Sequence, residues 1–369
     1  MVAAGLAGLL LAYSNGANDM LKGVATLIGS GTADLRRALG WAIATTLAGS
    51  TASIVLATGL AETFSGRGLV ADAVASDPAF LLAVSLGAAL TVLLATRFGL
   101  PVSTTHALAG SLVGAGLMAT GGQIRWSSLA GSFVVPLVAS PCLAISLTLA
   151  LYPAILAIRR GLGVSGTDCV CIGPGTDTTI GASGGAAVVA RTGAVIETGQ
   201  IDECSERLGG GMVGLRASAA VNALHYLSGG AVSFARGLND TPKMAAILLA
   251  SRALAPEGGF ALVAASMAAG GLLNARRVGE TMATKITGMS PGQGLTANVV
   301  TAFLVILASR MGLPVSTTHV SVGALFGIGL LTRTARPGVI ASILAAWVTT
   351  LPLGMACAAA AHGILRHIL

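Results

Sequence analysis

The chain has 369 residues, 54% of them hydrophobic and 9% charged, with a mean hydropathy of +0.84. Soluble domains carry about 25% charged residues, so a water-exposed globule of this composition would lack the polar side chains to cover itself. The bulk of the chain is therefore read as membrane-embedded. The net charge of +7 comes from sparse basic residues at the ends of apolar runs, with no basic stripe interleaved with aromatics, which excludes nucleic acid as a partner.

Ten apolar segments follow in chain order, at about 1–33, 38–60, 79–96, 101–120, 126–158, 216–252, 259–274, 293–309, 314–331 and 338–361. Several fall short of the roughly 20 residues of a straight span, and others are longer and carry Gly or Pro, the mark of broken or re-entrant helices in transporters. The first run leads directly into a polar motif with no small-residue cleavage site, so no signal peptide is expected. Cys142 and Cys357 lie in apolar runs and read as packing residues. Cys169, Cys171 and Cys204 share a polar loop that offers no fourth ligand for a metal. That loop, residues 159–212, is polar and Gly-rich, with short runs at Ala187 to Ala190 and Ala194 to Glu197 that suit strands. It divides the chain into a first membrane repeat (1–158), a cytoplasmic linker (159–212) and a second membrane repeat (213–369).

The two membrane parts repeat each other. Residues 97–116 read RFGLPVSTTHALAGSLVGAG and residues 310–329 read RMGLPVSTTHVSVGALFGIG. Upstream of each lies Gly-x-Asn-Asp-x-x-Lys, at 16–22 and 237–243, in the same order. The matching residues are polar, which shared low complexity does not explain, so the chain is an internal duplication. An odd five spans per half makes the second half enter the bilayer from the opposite side. The loop at 61–78 carries Glu62, Asp72 and Asp77 against Arg67, whereas its counterpart at 275–292 carries Arg276, Arg277 and Lys285 against Glu280. Opposite charge in equivalent loops is what inversion predicts when positive loops stay inside. Arg36, Arg37, Arg159, Arg160, Arg276, Arg277, Arg333 and Arg336 then face the cytoplasm, with both termini outside. The expected fold is an all-α polytopic membrane protein of two inverted-topology repeats, about five spans each, with broken or re-entrant helices.

Four groups of residues carry chemistry. Asn18-Asp19 and Asn239-Asp240 place a carboxylate inside an apolar run, where an ionisable group is costly and functional by default. Gly16 and Gly237 are expected to break their helices beside them, freeing backbone groups that line a cavity. In Pro101-Val-Ser-Thr-Thr-His106 and Pro314-Val-Ser-Thr-Thr-His319, proline and hydroxyl caps mark helix starts. The unpaired N–H groups and positive dipole end there favour an anion. Ser103, Thr104, Thr105, Ser316, Thr317 and Thr318 add hydroxyl donors, and His106 and His319 are candidate proton carriers. Of 21 basic residues only three are lysines, and two of them, Lys22 and Lys243, occupy the same repeat position three residues after an Asp. On a helix each shares a face with its carboxylate.

These paired motifs, Gly16-Ala-Asn-Asp19, Gly237-Leu-Asn-Asp240 and the two Pro-Val-Ser-Thr-Thr-His stretches, resemble the inorganic phosphate transporter family, whose members couple phosphate uptake to sodium or protons. The resemblance spans both repeats and leaves the 159–212 linker unmatched. It implies an inverted-repeat fold, a homodimer, and a substrate site built from Asn18, Asp19, Ser103, Thr104, Thr105, Asn239, Asp240, Ser316, Thr317 and Thr318. The two Asn-Asp pairs are its candidate sodium ligands. Two departures stand out. The family usually has asparagine where this chain has Lys22 and Lys243, so two ammonium groups stand where bound cations balance the carboxylates. It often has histidine where this chain has Arg236, which adds positive field.

The resulting expectation is a multi-pass plasma-membrane carrier, not an enzyme and without a cofactor. It moves inorganic phosphate by alternating access, coupled to a proton or sodium. Lys22 and Lys243 join the binding site. A sulfate or other oxyanion permease of the same fold is the nearest alternative, and an anion channel is the alternative from another class.

Overall fold

The computed structural model describes residues 2–180, 186–200, 208, 213–250, 256–285 and 288–368. The chain forms two compact units, Met1–Leu151 with His225–Leu369, and Tyr152–Leu224.

The larger unit is helical, and each of the ten apolar segments falls on one or more of its helices. Among the described residues, five helices are long and apolar enough to cross a bilayer: Leu35–Leu56, Pro78–Arg97, Trp126–Gly161, Pro291–Arg310 and Pro337–Ile368. A sixth span forms if Gly258–Asn274 and Arg276–Lys285, bent by 70°, count as one broken element. The exterior is apolar: Val55 and Val348 are 78% and 75% exposed, alongside Leu94, Val138 and Leu273. Lys, Asp, Asn and Arg side chains are buried inside. That distribution suits lipid as the outer solvent, where intramembrane ionisable groups face the bundle interior.

Local sequence explains where the helices start and stop. Asp77 and Ser290 cap Pro78–Arg97 and Pro291–Arg310, with proline in the first turn of each, and Ser290 forms a reciprocal capping box with Gln293. After Arg97 and after Arg310 the chain reverses through Gly99 and Gly312, both at φ 68°, a left-handed conformation that glycine adopts without strain. The helices Thr104–Thr120 and Thr317–Thr332 then begin behind Ser103 and Ser316, whose side chains accept from the backbone N–H of His106 and His319 at 3.1 and 3.2 Å. Residues 101–103 stay outside the first of these helices and 313–316 outside the second, leaving the Val102 and Val315 carbonyls free for other partners.

The expected break at Gly16 and Gly237 is corrected by the structure. The helix Val2–Asp19 runs through Gly16, and Ala217–Ala250 runs through Gly237. A Cβ on Gly16 would collide with the Met267 carbonyl, and one on Gly237 with the Thr46 carbonyl. These glycines serve close helix approach rather than bending. The irregularity comes further on. The first helix stops at Asp19 and continues as a tight 3₁₀ turn at Lys22–Val24, whereas the second carries Pro242 inside it, which offers the Leu238 carbonyl no N–H.

The smaller unit contains a three-stranded antiparallel sheet in the order β2-β1-β3, with β1 Asp168–Ile180, β2 Ala186–Gln200 and β3 Val213–Arg216. Both runs that suited strands, Ala187–Ala190 and Ala194–Glu197, lie within β2. Cys169 and Cys171 are buried on β1, their sulfurs 2.7 Å apart, and pack with Leu208. Cys204 lies outside the described residues.

Candidate functional site

The Asn-Asp-x-x-Lys segments of the two repeats meet the two Pro-Val-Ser-Thr-Thr-His loops in the interior of the larger unit. Asp19, Lys22, Arg236, Asp240 and Lys243 are each at most 3% exposed. Burying charges of this kind is costly unless they are paired and hydrogen-bonded; Lys22 and Lys243 are paired with Asp19 and Asp240, while Arg236 is held by a hydrogen bond to the neutral Asn15.

The helical spacing sets the first contact. Lys22 follows Asp19 by one turn, and its Nζ sits 2.5 Å from Asp19 Oδ1. Lys243 follows Asp240 likewise, at 3.2 Å from Asp240 Oδ1. Lys22 Nζ also donates to the Val102 carbonyl and to Thr318 Oγ1, both at 2.7 Å. Lys243 Nζ donates to the Val315 carbonyl at 2.9 Å and to Thr105 Oγ1 at 2.8 Å. The two sets interchange when the repeats are interchanged. Each ammonium takes its carboxylate and carbonyl from its own repeat and its hydroxyl from the other. The threonines in turn donate onward, Thr318 Oγ1 to the Val102 carbonyl at 2.9 Å and Thr105 Oγ1 to the Val315 carbonyl at 3.2 Å.

Asn15 joins the two carboxylates. Its Nδ2 lies 2.9 Å from Asp19 Oδ2, 3.2 Å from Asp240 Oδ2 and 3.1 Å from Thr104 Oγ1, and Thr104 donates to Asp19 Oδ2 at 3.2 Å. Arg236 Nη1 donates to Asn15 Oδ1 at 3.2 Å, and its Nη2 lies near Met20 Sδ and Thr46 Oγ1. Its Nε is buried and unpartnered among the described residues. In their ordinary ionised forms, three cations here face two carboxylates, leaving one positive charge in excess. At such low effective polarity that excess attracts an anion strongly.

The Asn-Asp asparagines tie the motif to the preceding helices. Asn18 Nδ2 donates to Thr96 Oγ1 at 2.9 Å and to the Leu100 carbonyl at 3.1 Å, while its Oδ1 accepts from Val102 N at 3.2 Å. Asn239 Oδ1 accepts from Ser309 Oγ at 3.3 Å, and its Nδ2 lies 2.9 Å from Asp240 Oδ1. Thr317 is buried at its helix start. His106 and His319, from the two repeats, pack ring to ring at 4.4 Å, and His319 stacks on Trp347 at 3.7 Å. His106 Nδ1 and His319 Nε2 have no hydrogen-bond partner among the described residues. Thus the sequence-predicted residues of both repeats are brought together. Ser103 and Ser316, however, are committed to capping their own helices.

Sequence reading missed Asn15, Thr96 and Ser309. Thr96 and Ser309 precede the repeated Arg97 and Arg310, so the repeat carries a hydroxyl in both halves one residue upstream of those arginines. Asn15 stands where the second repeat has Arg236, and that mismatch hid it.

A cavity of about 820 Å³ opens beside this cluster, lined among others by Glu62, Arg67, Ser132, Phe133 and Ala246. Ala246 lies one turn beyond Lys243 on the same helix. Phe64 is fully buried between the two, its ring 5.2 Å edge-on from Phe133 and 5.6 Å from Lys243 Nζ.

Known proteins with this pattern place the chain. It is 28% identical to inorganic phosphate transporter 2-1, chloroplastic, of Arabidopsis thaliana, over 99% of this chain and 72% of that protein. It is 28% identical to the probable low-affinity inorganic phosphate transporter of Rhizobium meliloti, over 93% of this chain and 90% of that one. A solved structure described as the sodium-dependent phosphate transporter superposes with a TM-score of 0.76 at 23% identity, covering 100% of this chain and 99% of that one, which establishes the shared fold. Residues 15–358 match the phosphate transporter family, and the chain belongs to that family.

Proposed function

We propose that the protein is a secondary active transporter that moves inorganic phosphate across the cell membrane by alternating access of two inverted halves. The observation that carries this reading is the buried set of Asp19, Lys22, Arg236, Asp240 and Lys243, with one positive charge in excess and threonine hydroxyls from both repeats around it. Its donors are turned toward two carboxylates. An arriving oxyanion competes with Asp19 and Asp240 for those donors, and a proton on either carboxylate releases them to the substrate. Proton and phosphate thereby favour each other's binding, which is the thermodynamic requirement of coupling. The cavity reaching Ala246, closed from Lys243 by Phe64, supports one side of the access path. The opposite charge of the loops 61–78 and 275–292 supports inversion.

Uptake of labelled phosphate into proteoliposomes under a pH gradient tests this. The expected result is uptake driven by the gradient and inhibited by arsenate but not by sulfate. Absence of uptake under every gradient rejects the reading. Inhibition by sulfate alone assigns the protein to the sulfate permeases, and flux far above carrier turnover assigns it to the channels.

A further inference from the structure

We infer that Lys22 and Lys243 are tethered counter-cations: their ammonium groups occupy the two equivalent oxygen cages of the site, so the chain supplies from its own sequence the positive charges that a sodium ion would otherwise bring. This deepens the transport reading and rests on it for its consequence, that uptake proceeds without sodium.

Each cage has three oxygens of different kinds. For Lys22 they are a carboxylate oxygen of Asp19, the Val102 carbonyl and the Thr318 hydroxyl. For Lys243 they are a carboxylate oxygen of Asp240, the Val315 carbonyl and the Thr105 hydroxyl. Carboxylate and carbonyl are hard donors of the kind that hold alkali and alkaline-earth ions rather than soft metals. An ammonium carries three N–H donors and no acceptor, and in both cages three donors meet three acceptors, at 2.5 to 2.7 Å around Lys22 and 2.8 to 3.2 Å around Lys243. A metal ion would need the same oxygens at shorter range, so ammonium and ion exclude each other. The carbonyls are available only because residues 101–103 and 313–316 lie outside the helices that follow. Both lysines are at most 3% exposed, so neither has a solvated alternative position in this conformation.

The pattern is not a consequence of basic composition. The chain has 18 arginines against three lysines, yet lysine fills this position in both repeats. Arginine, planar and larger, cannot present three converging donors to a compact cage.

Occupancy of the cages is tested without substrate. The purified protein is titrated with sodium chloride against choline chloride at constant ionic strength, with no phosphate present, and its Tm is followed. For the wild type the two curves should coincide. For the Lys22→Asn/Lys243→Asn variant, sodium should raise Tm over choline in a saturable way, by about 2–4 °C. A saturable sodium-specific rise in the wild type overturns the inference, as does a folded double variant that shows none. If the double variant does not fold, each single variant is read the same way, and the wild-type titration decides by itself. Proteoliposome uptake separates the two claims. Wild-type phosphate uptake of equal rate in sodium and in choline supports both. Strict sodium dependence overturns the tethered-cation inference alone. No uptake of any kind, with coincident sodium and choline curves, rejects the phosphate reading and leaves the cages assigned.

Discussion

Arg236 donates a hydrogen bond to Asn15 at 3.2 Å, and the two residues occupy the same position of the two repeats. The duplicated halves are thus unequal at the place where they touch. The inequality is chemical, since a neutral amide that both donates and accepts faces a cation that only donates. Asn15 can therefore take the guanidinium on its oxygen and serve both carboxylates with its nitrogen. Replacing it by alanine removes that link and leaves buried charged groups with unmade hydrogen bonds, at a cost of about 1–3 kcal/mol. Asn15→Ala should lower the initial rate of phosphate uptake by about tenfold or more, since 1.4 kcal/mol corresponds to a factor of ten. Unaltered uptake would remove Asn15 from the site.

The ion pairs give a second prediction. Asp19→Asn leaves the Lys22 ammonium without its carboxylate in a buried setting, and breaking a buried pair costs about 3–5 kcal/mol. Adding Lys22→Met removes the stranded charge, so the double variant should be more stable than Asp19→Asn alone. Thermal unfolding of the two proteins in detergent measures the difference. The same order is expected for Asp240→Asn and Asp240→Asn/Lys243→Met. A double variant less stable than its single parent would mean that the pairs are not the coupled units the geometry describes.

Gly16 and Gly237 give a third. Each meets a backbone carbonyl, of Met267 and Thr46, where a Cβ would have to go, and backbone cannot yield as a side-chain tip can. Gly16→Ala and Gly237→Ala should each cost about 1–3 kcal/mol, the usual range for overpacking. Gly40, in the helix Leu35–Leu56 with nothing within 4 Å of an added Cβ, is the control. Gly40→Ala should leave Tm unchanged or raise it, because alanine is the better helix former. Equal losses at all three positions would contradict the close-approach role.

The cavity gives a fourth. In a cysteine-free background, Ala246→Cys should react with a membrane-impermeant thiol reagent from one side of the bilayer, because Ala246 lines the cavity. A cysteine replacing Thr301, which is buried and does not line that cavity, should stay unreactive. Saturating phosphate should change the Ala246→Cys labelling rate if occupancy shifts the access equilibrium. Phosphate-independent labelling at every concentration would detach the cavity from the transport path.

How far the sequence led depends on the residue. Asp19, Asp240, Lys22 and Lys243 were legible because charge inside an apolar run is expensive and because the repeat displayed each twice. Ser103 and Ser316 were legible as helix starts, since proline and a hydroxyl specify a cap locally. Asn15 was not legible: apart from Asp19, its partners Thr104, Asp240 and Arg236 are distant in sequence, and the repeat shows a different residue at its position. Which oxygen each ammonium selects was hidden for the same reason, as Lys22 reaches Thr318 and Lys243 reaches Thr105 only through the fold. Glycine signals both flexible backbone and close packing, and only the carbonyls of Met267 and Thr46 decide between them.

The exchange of threonines between the ammonium groups has one more consequence. Because Thr105 serves Lys243 and Thr318 serves Lys22, neither half contains a whole site. Cutting the chain in the 159–212 segment and expressing the pieces separately yields two fragments that each hold one lysine lacking a ligand and one threonine lacking a guest. Binding is a property of their union. A change at either threonine is felt first on the far side of the duplication, so the two copies of the ancestral motif are bound to vary as partners rather than as independent duplicates.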